Sequence, residues 1–253
     1  MISVAMTTFN GLRFLGEQVE SILVQLDADD ELVIADNGST DGTWQWLSDL
    51  AQRDPRVHLF QNLETRGVVA NFNYALQRCS GELVFLADQD DYWHPGKIAA
   101  ICDAFADSAQ ILLVQSDADL IDESGQVVAP SFFALRRSGP GFWKNFAKNT
   151  YQGCTFAVRH QLLEMALPFP AKVPMHDMWL GLLAELTGDV RFIPDRLTSY
   201  RRHGENLSEL TPRSAWQILV WRINLALALF SRLLGRRLHL TGRGSHHESK
   251  LDE

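Results

Sequence analysis

Four short apolar runs, at 2–7, 31–35, 57–60 and 83–87, alternate with three stretches whose apolar residues recur at helical spacing, at 14–26, 43–52 and 67–78. In the first of these stretches the apolar positions are Phe14, Leu15, Val19, Ile22, Leu23 and Leu26. Runs separated by whole helices cannot pair as tight hairpins. They specify parallel strands joined by helical crossovers, with helices on both faces of the sheet. At 253 residues and 46% hydrophobic composition, the chain can bury such a core as one large domain or two small ones.

Each run closes in a polar turn. Thr7-Thr8-Phe9-Asn10-Gly11 follows the first and Asp36-Asn37-Gly38-Ser39-Thr40-Asp41-Gly42 the second. Arg66-Gly67, with Asn71, follows the third and Asp88-Gln89-Asp90-Asp91 the fourth. The C-terminal ends of parallel strands share one sheet edge, where ligands of open α/β sheets bind. A single Asp or Gly in a turn usually serves only the turn. Four polar turns in this order point to one ligand held among them. The fourth is the most specific, because carboxylates this close repel one another unless a cation neutralises them. Hard divalent cations prefer oxygen, and Mg²⁺ commonly joins one or two carboxylates to substrate phosphates. Mg²⁺ or Mn²⁺ with a diphosphate is therefore expected here; the alternative is a solvated acidic turn.

Beyond this point the pattern loosens. A helix is predicted over 95–105, a strand at 111–116 and a hairpin at 120–128 turning at Glu123-Ser124-Gly125. Helices are predicted at 156–167 and 178–186, and short strands at 191–193 and 197–200. Residues 130–151, rich in Gly, Ser, aromatic and basic side chains, read as a long functional loop.

The net charge of −8 argues against general nucleic-acid binding. Cys79, Cys102 and Cys154 are odd in number and lack metal-ligand spacing, so free thiols in a reducing cytoplasm are expected. The chain opens on a strand pattern rather than a basic region followed by an apolar core, so no signal peptide is predicted.

Charge is unevenly spread. Residues 210–253 hold seven Lys/Arg and three Asp/Glu, a net +4 that leaves −12 on the rest. Within 214–238, Trp216, Leu219, Val220, Ile223, Leu227, Phe230, Leu233 and Leu234 form one broad helical face. Gln217, Arg222, Asn224, Ser231, Arg232 and Arg236 lie opposite, with Ile218, Leu225 and Leu229 as exceptions. Arg222 and Asn224 count against a spanning helix, which needs ~20 mostly apolar residues. A basic amphipathic helix on an anionic membrane fits, as does a helix packed on the body or on a second copy. The polar residues 241–253 are expected to form a disordered tail.

The phrases Val33-Ile34-Ala35-Asp36-Asn37-Gly38-Ser39-Thr40-Asp41-Gly42-Thr43 and Asp88-Gln89-Asp90-Asp91-Tyr92-Trp93 together resemble the family 2 glycosyltransferases, which have the GT-A fold and use nucleotide sugars. In the second half, Gly153-Cys154-Thr155, Met175-His176-Asp177-Met178-Trp179 and Tyr200-Arg201-Arg202-His203-Gly204-Glu205-Asn206 look most like bacterial rhamnosyltransferases. The resemblance implies a Rossmann-like, mostly parallel α/β sheet with flanking helices over 1–210. Its nucleotide-sugar-binding half would be 1–118 and its acceptor and catalytic-base half 119–210, with an amphipathic helical extension at 211–240.

The resemblance also implies roles. Thr8, Phe9 and Asn10 would line the base pocket with Glu17 nearby, and Asp36 would accept a hydrogen bond from the base N3–H, unless it is only a turn residue. Asn37, Ser39, Arg66, Asn71, Asp88 and Gln89 would complete the donor site, with Arg66 toward the phosphates. Asp90 would hold the metal, with His203 and Asp88 as further candidates, and Asp91 would cap the next helix. Asp177 matches the general base, which takes the proton of the acceptor hydroxyl. Trp143, Gly153, Cys154, His176 and Trp179 would lie at the acceptor, with Trp143 the better candidate for stacking on a sugar and Trp179 for packing beneath the pocket or in the core.

The expectation is a metal-dependent, inverting glycosyltransferase that uses dTDP-rhamnose first and a UDP-sugar second. Its acceptor would be a bacterial surface glycan, free or lipid-linked, and the C-terminal helix would hold it peripherally on the inner face of the plasma membrane. A nucleotidyltransferase would carry a glycine-rich basic loop near its start, which 7–11 is not. A processive synthase would need several spanning helices. A catalytically silent nucleotide-sugar-binding protein is the non-enzyme alternative, and release of free nucleoside diphosphate discriminates it.

Overall fold

A computed structural model describes residues 1–203 and 215–244 of the chain, with the side chains of the last helix described over 216–235. In chain order the elements are β1 (Ile2–Thr8), α1 (Leu12–Leu23), β2 (Glu31–Asp36), α2 (Thr43–Ala51), β3 (Val57–Gln61), α3 (Val68–Leu76), β4 (Leu83–Ala87), β5 (Tyr92–Trp93) and α4 (Lys97–Ala106). Then come β6 (Ile111–Ile121), β7 (Val127–Ala129), α5 (Phe132–Arg136), α6 (Phe142–Ala147), a 3₁₀ turn (Gly153–Thr155), β8 (Phe156–Arg159), α7 (His160–Ala166), α8 (His176–Thr187), β9 (Asp189–Arg201) and α9 (Ala215–Gly244).

One sheet runs β3-β2-β1-β4-β8-β6-β9-β5, with β7 beside β6. Strands β1 to β4 pair in parallel. β8 is antiparallel to both β4 and β6, and β9 is parallel to β6, so β6 and β9 point the same way as β4. The C-terminal ends of β1, β2, β4, β6 and β9 therefore meet at one edge. Side-chain alternation puts Val4, Met6, Leu32, Ile34, Phe85 and Ala87 on one face with α1, α2 and α4. Ala5, Val33, Ala35, Val84 and Leu86 face the other way, onto α3, α7 and α8. Burial on both faces explains why these strands read as continuous apolar runs.

Four local readings differ from the structure. Phe156–Arg159 is a strand, not helix: Phe156 and Val158 face one core and Ala157 the other, and so short an apolar run has no decisive period. The strand expected at 111–116 continues to Ile121 through Asp117 and Asp119. These buried carboxylates are satisfied, Asp117 by Ser131 Oγ and the Phe133 amide and Asp119 by Ser199 Oγ. The strands expected at 191–193 and 197–200 are one strand, β9. The long loop at 130–151 contains α5 and α6.

Helix α9 continues to Gly244, past the expected start of the tail; residues 245–253 lie outside the described residues. Its orientation reverses the simple expectation for an amphipathic helix. Leu225 and Leu229, the exceptions on the wheel, are buried against the body, and most of the broad apolar face points outward, with Val220 and Leu233 half-buried at its margin.

Candidate active site

Turns after β1 and β2 lock together. Asp36 is fully buried, and its carboxylate accepts from Thr8 Oγ1 at 3.0 Å, the Gly38 amide at 3.0 Å, the Ser39 amide at 2.9 Å and Ser39 Oγ. Asn10 takes a left-handed conformation, its amide donating to Ser39 Oγ and its Oδ1 accepting from the Thr40 amide. Asn37 donates to the Asn62 and Thr65 carbonyls and accepts from the Gly67 amide, which pins the loop after β3. Gln89 bonds the Phe9 backbone in both directions, at 2.8 and 3.0 Å, and ties the acidic turn to the first one. This clasp requires glycine at 11, since a Cβ there would lie 2.2 Å from Gln89 Oε1. The Phe9 ring is half exposed above the edge, and Arg66 is exposed on its loop.

The acidic turn is held from β9. Arg201 donates its amide to Asp91 Oδ1, its Nε to the Asp90 carbonyl and its Nη2 to Glu17 Oε2, at 3.0, 2.9 and 2.6 Å. His203 Nε2 lies 2.7 Å from Asp90 Oδ2. No internal donor reaches the Asp88 carboxylate among the described residues. Burial, then Asp91, Asp90 and Asp177, push its carboxyl well above the ordinary range. Burial and then Asp90 push Asp91 up to about 7, against the lowering effect of the Cys154 thiol and the Arg201 amide. Beneath them Lys97 is fully buried, donating to the Cys154 carbonyl and Thr198 Oγ1 at 2.8 Å each and lying over the Trp93 ring.

Such an excess of carboxylate suits a hard divalent cation. Asp88 is half-buried and Asp90 is bonded to His203, so the turn offers carboxylate oxygens with an imidazole beside them. Asp88, Asp91 and Cys154 also bring ligand atoms within 4.8 Å of one another. The Cys154 thiol, however, is driven well up by burial, Asp91 and Asp88, so it stays protonated and suits no hard cation.

Asp177 lies in the first turn of α8, buried, with Oδ1 accepting from the Met178 amide and from Asn149 Nδ2 at 3.2 Å. Burial lifts its carboxyl to about 6, against the lowering effect of the Met178 amide, Asn149 and Arg136. It is close enough to Asp88 to raise that group further. A carboxylate that ionises near neutrality, facing an acidic turn, has the properties of a general base.

Several predicted residues are placed differently. Asn71 is spent inside the fold, donating to the Ala35 carbonyl and accepting from Asn62. Trp179 takes the core position that was one of its two expected places, its indole donating to the Ala166 carbonyl. Cys154 lies under the acidic turn rather than on an open surface. Asp91 turns inward, and α4 is capped by Gly96 instead. His176 is buried, stacked on Phe72 with centroids 4.0 Å apart and both ring nitrogens without a partner among the described residues, and burial lowers its pKa to about 3. It sits against Gly153, where a Cβ would lie 2.6 Å from Nε2. Trp143 is 77% exposed on α6. Glu17 is committed to Arg201.

Lys97, Asn149, Arg136 and the internal role of Arg201 were not anticipated. Lone basic or amide residues on polar stretches carry no sequence signal of burial.

A model of the family described as glycosyl transferase family 2 matches residues 3–165, which leaves Asp177 and His203 beyond the match. The chain is 28% identical over 218 residues to an uncharacterized glycosyltransferase of Nostoc sp., covering 81% of this chain and 66% of that protein. It is 25% identical over 190 residues to an Escherichia coli UDP-Glc:alpha-D-GlcNAc-diphosphoundecaprenol beta-1,3-glucosyltransferase, WfgD, covering 73% of this chain and 70% of that protein. The crystal structure of S. aureus TarS in complex with UDP-GlcNAc superposes with a TM-score of 0.68 at 21% identity, over 89% of this chain and 66% of that one. The chain thus spans about two thirds of the Nostoc relative and of residues 1–349 of TarS, and 38% of the TarS chain in a longer structure. The fold is GT-A-like, and the match over more than half of its length establishes that the chain belongs to glycosyl transferase family 2.

Proposed function

We propose that this protein transfers a hexosyl group, with inversion, from a pyrimidine nucleoside diphosphate sugar to a hydroxyl of a bacterial surface glycan or its lipid-linked precursor. The observation that carries this reading is the pairing across one sheet edge of Asp177, its carboxyl near 6, with the crowded Asp88–Asp91 turn. Asp177 takes the proton of the acceptor hydroxyl as that oxygen bonds to the anomeric carbon. The bond from that carbon to the diphosphate breaks on the opposite face, and nucleoside diphosphate leaves. Asp88, Asp90 and His203 would hold a divalent cation, which supplies charge neutralisation for the departing diphosphate.

Thr8, Phe9, Asn10, Asp36 and Ser39 are assigned to the base. Because the Asp36 carboxylate already has four donors, reading a base N3–H requires the Thr8 or Ser39 hydroxyl to turn away. Arg66 is assigned to the phosphates, and Trp143 is free to meet an acceptor. The WfgD name carries UDP-glucose and a diphosphoundecaprenol acceptor, and the TarS complex holds UDP-GlcNAc. UDP-hexoses are therefore the first donors to test and dTDP-rhamnose the next. Buried, free Cys79 and Cys154 are in keeping with a reducing cytoplasm.

A thermal-shift panel of nucleotide sugars with and without Mn²⁺ tests the reading, followed by nucleoside diphosphate release with acceptor present. A metal-dependent rise with uridine or thymidine compounds, and not with purines, is expected. Equal rises with purines and pyrimidines would refute the base assignment, and donor binding without any product release would favour a silent binding protein.

A further inference from the structure

We propose that the outward face of α9 docks on an anionic lipid surface, with the helix lying along the bilayer while remaining bound to the protein body. Trp216, Leu219, Ile223, Leu227, Phe230 and Leu234 recur three or four residues apart and are all exposed, Trp216 at 71% and Phe230 at 67%. A helix ordinarily turns such a stripe inward, and here the polar side does the anchoring instead. Arg232 donates to the carbonyls of Met165, Leu167 and Pro168 at 2.8, 2.9 and 2.6 Å and lies over the Trp179 ring. Arg222 donates to the Ala147 carbonyl and lies over the Phe146 ring. With Leu225 and Leu229 buried between these two anchors, the helix cannot roll its stripe inward without losing them.

Charge selects the occupant. No acidic residue occurs from 210 to 247, while Arg213, Arg222, Arg232, Arg236, Arg237 and Arg243 do. Arg222 and Arg232 are held on the body, so the charge this segment offers a partner is that of the other four arginines, with no acidic residue among them; two copies paired along it would bring like charges together. An anionic bilayer attracts such a segment, at about 1 kcal/mol per cation near the surface, and accepts the apolar stripe between its headgroups. Trp216–Gly235, at 20 residues, is also long and apolar enough to cross a membrane. Spanning would strip Arg222 and Arg232 of their partners on the body, so the geometry favours lying flat. The exposed Trp143 stands on α6, the helix that supplies the Ala147 and Phe146 contacts to Arg222.

The inference goes beyond the transfer reaction and stands whether or not that reaction is as proposed. The test is co-sedimentation of the full chain with vesicles of phosphatidylcholine alone or mixed with phosphatidylglycerol, beside the double variant Ile223→Glu, Leu227→Glu. Binding to the mixed vesicles, weakened at least about tenfold in the variant and released by an alkaline carbonate wash, is expected. Thermal shift with the donor reports folding and the donor site separately. Both altered side chains are exposed, so that readout is expected to be unchanged. No sedimentation of the full chain, or binding that resists the wash, would overturn the proposal. So would a dimer in light scattering that the variant abolishes without any lipid binding.

Discussion

Replacing Asp177 by asparagine should stabilise the protein while ending its chemistry. Burial holds the folded-state carboxyl near 6, from an ordinary value of 3.8. Between those two values the folded protein keeps a proton that the unfolded chain has released, so stability falls as pH rises through the window. Two units correspond to about 3 kcal/mol, fully present at pH 8 and less than about 1 kcal/mol at pH 4. Asparagine carries no charge to desolvate, and its Oδ1 can still accept from Asn149 and the Met178 amide. Calorimetry in EDTA should therefore show Asp177→Asn melting higher at pH 8, by about 5 °C or more, and nearly level with the wild type at pH 4. Transfer should drop by at least about a hundredfold, the usual contribution of a general base. Donor affinity should hold, because a base acts on the acceptor. A melting gain equal at both pH values would refute the burial argument, and a collapse of donor affinity would refute the assigned role.

Three further substitutions probe the same edge. Asn149→Ala removes a hydrogen bond that favours ionised Asp177, so the acid limb of the kcat/KM profile should move alkaline by roughly half to one unit, and an unmoved limb would exclude this contact as a tuning element. Asp90→Ala should weaken Mn²⁺-dependent donor binding by calorimetry, while binding of the nucleotide without metal changes little. Gly11→Ala forces Gln89 away from the Phe9 backbone, and a donor KM raised several-fold with a near-normal melting temperature is expected; Gln89→Ala should reproduce it.

The first half of the fold was legible because its information is local. Apolar runs buried on both faces and helices at regular spacing leave few topologies, and strand β4 was predicted at its observed bounds. The second half depends on partners distant in sequence. β8 lies between β4 and β6, yet its four residues hold too few turns to declare a period. Nor could β6 be read through Asp117 and Asp119, because the donors that make those residues tolerable come from Ser131, Phe133 and Ser199. The α9 stripe was visible, but its direction was set by carbonyls on α6 and just beyond α7.

At the site the sequence displayed the acids but not their states, and those states separate structural acids from chemical ones. Asp36 has four internal donors, so its charge is already compensated and its first role is to shape the turn. Asp91 has only the Arg201 amide and the Cys154 thiol among the described residues, and its carboxyl rises to about 7. Asp177 has two donors and sits near 6. Asp88, with no internal donor among the described residues and three acids nearby, is raised well above the ordinary range, so a ligand or cation has most to offer there. Of these four acids, the count of internal donors thus ranks Asp88 as the one whose removal should cost most metal-dependent affinity. It also leaves Asp36 as the residue whose removal should cost most local order.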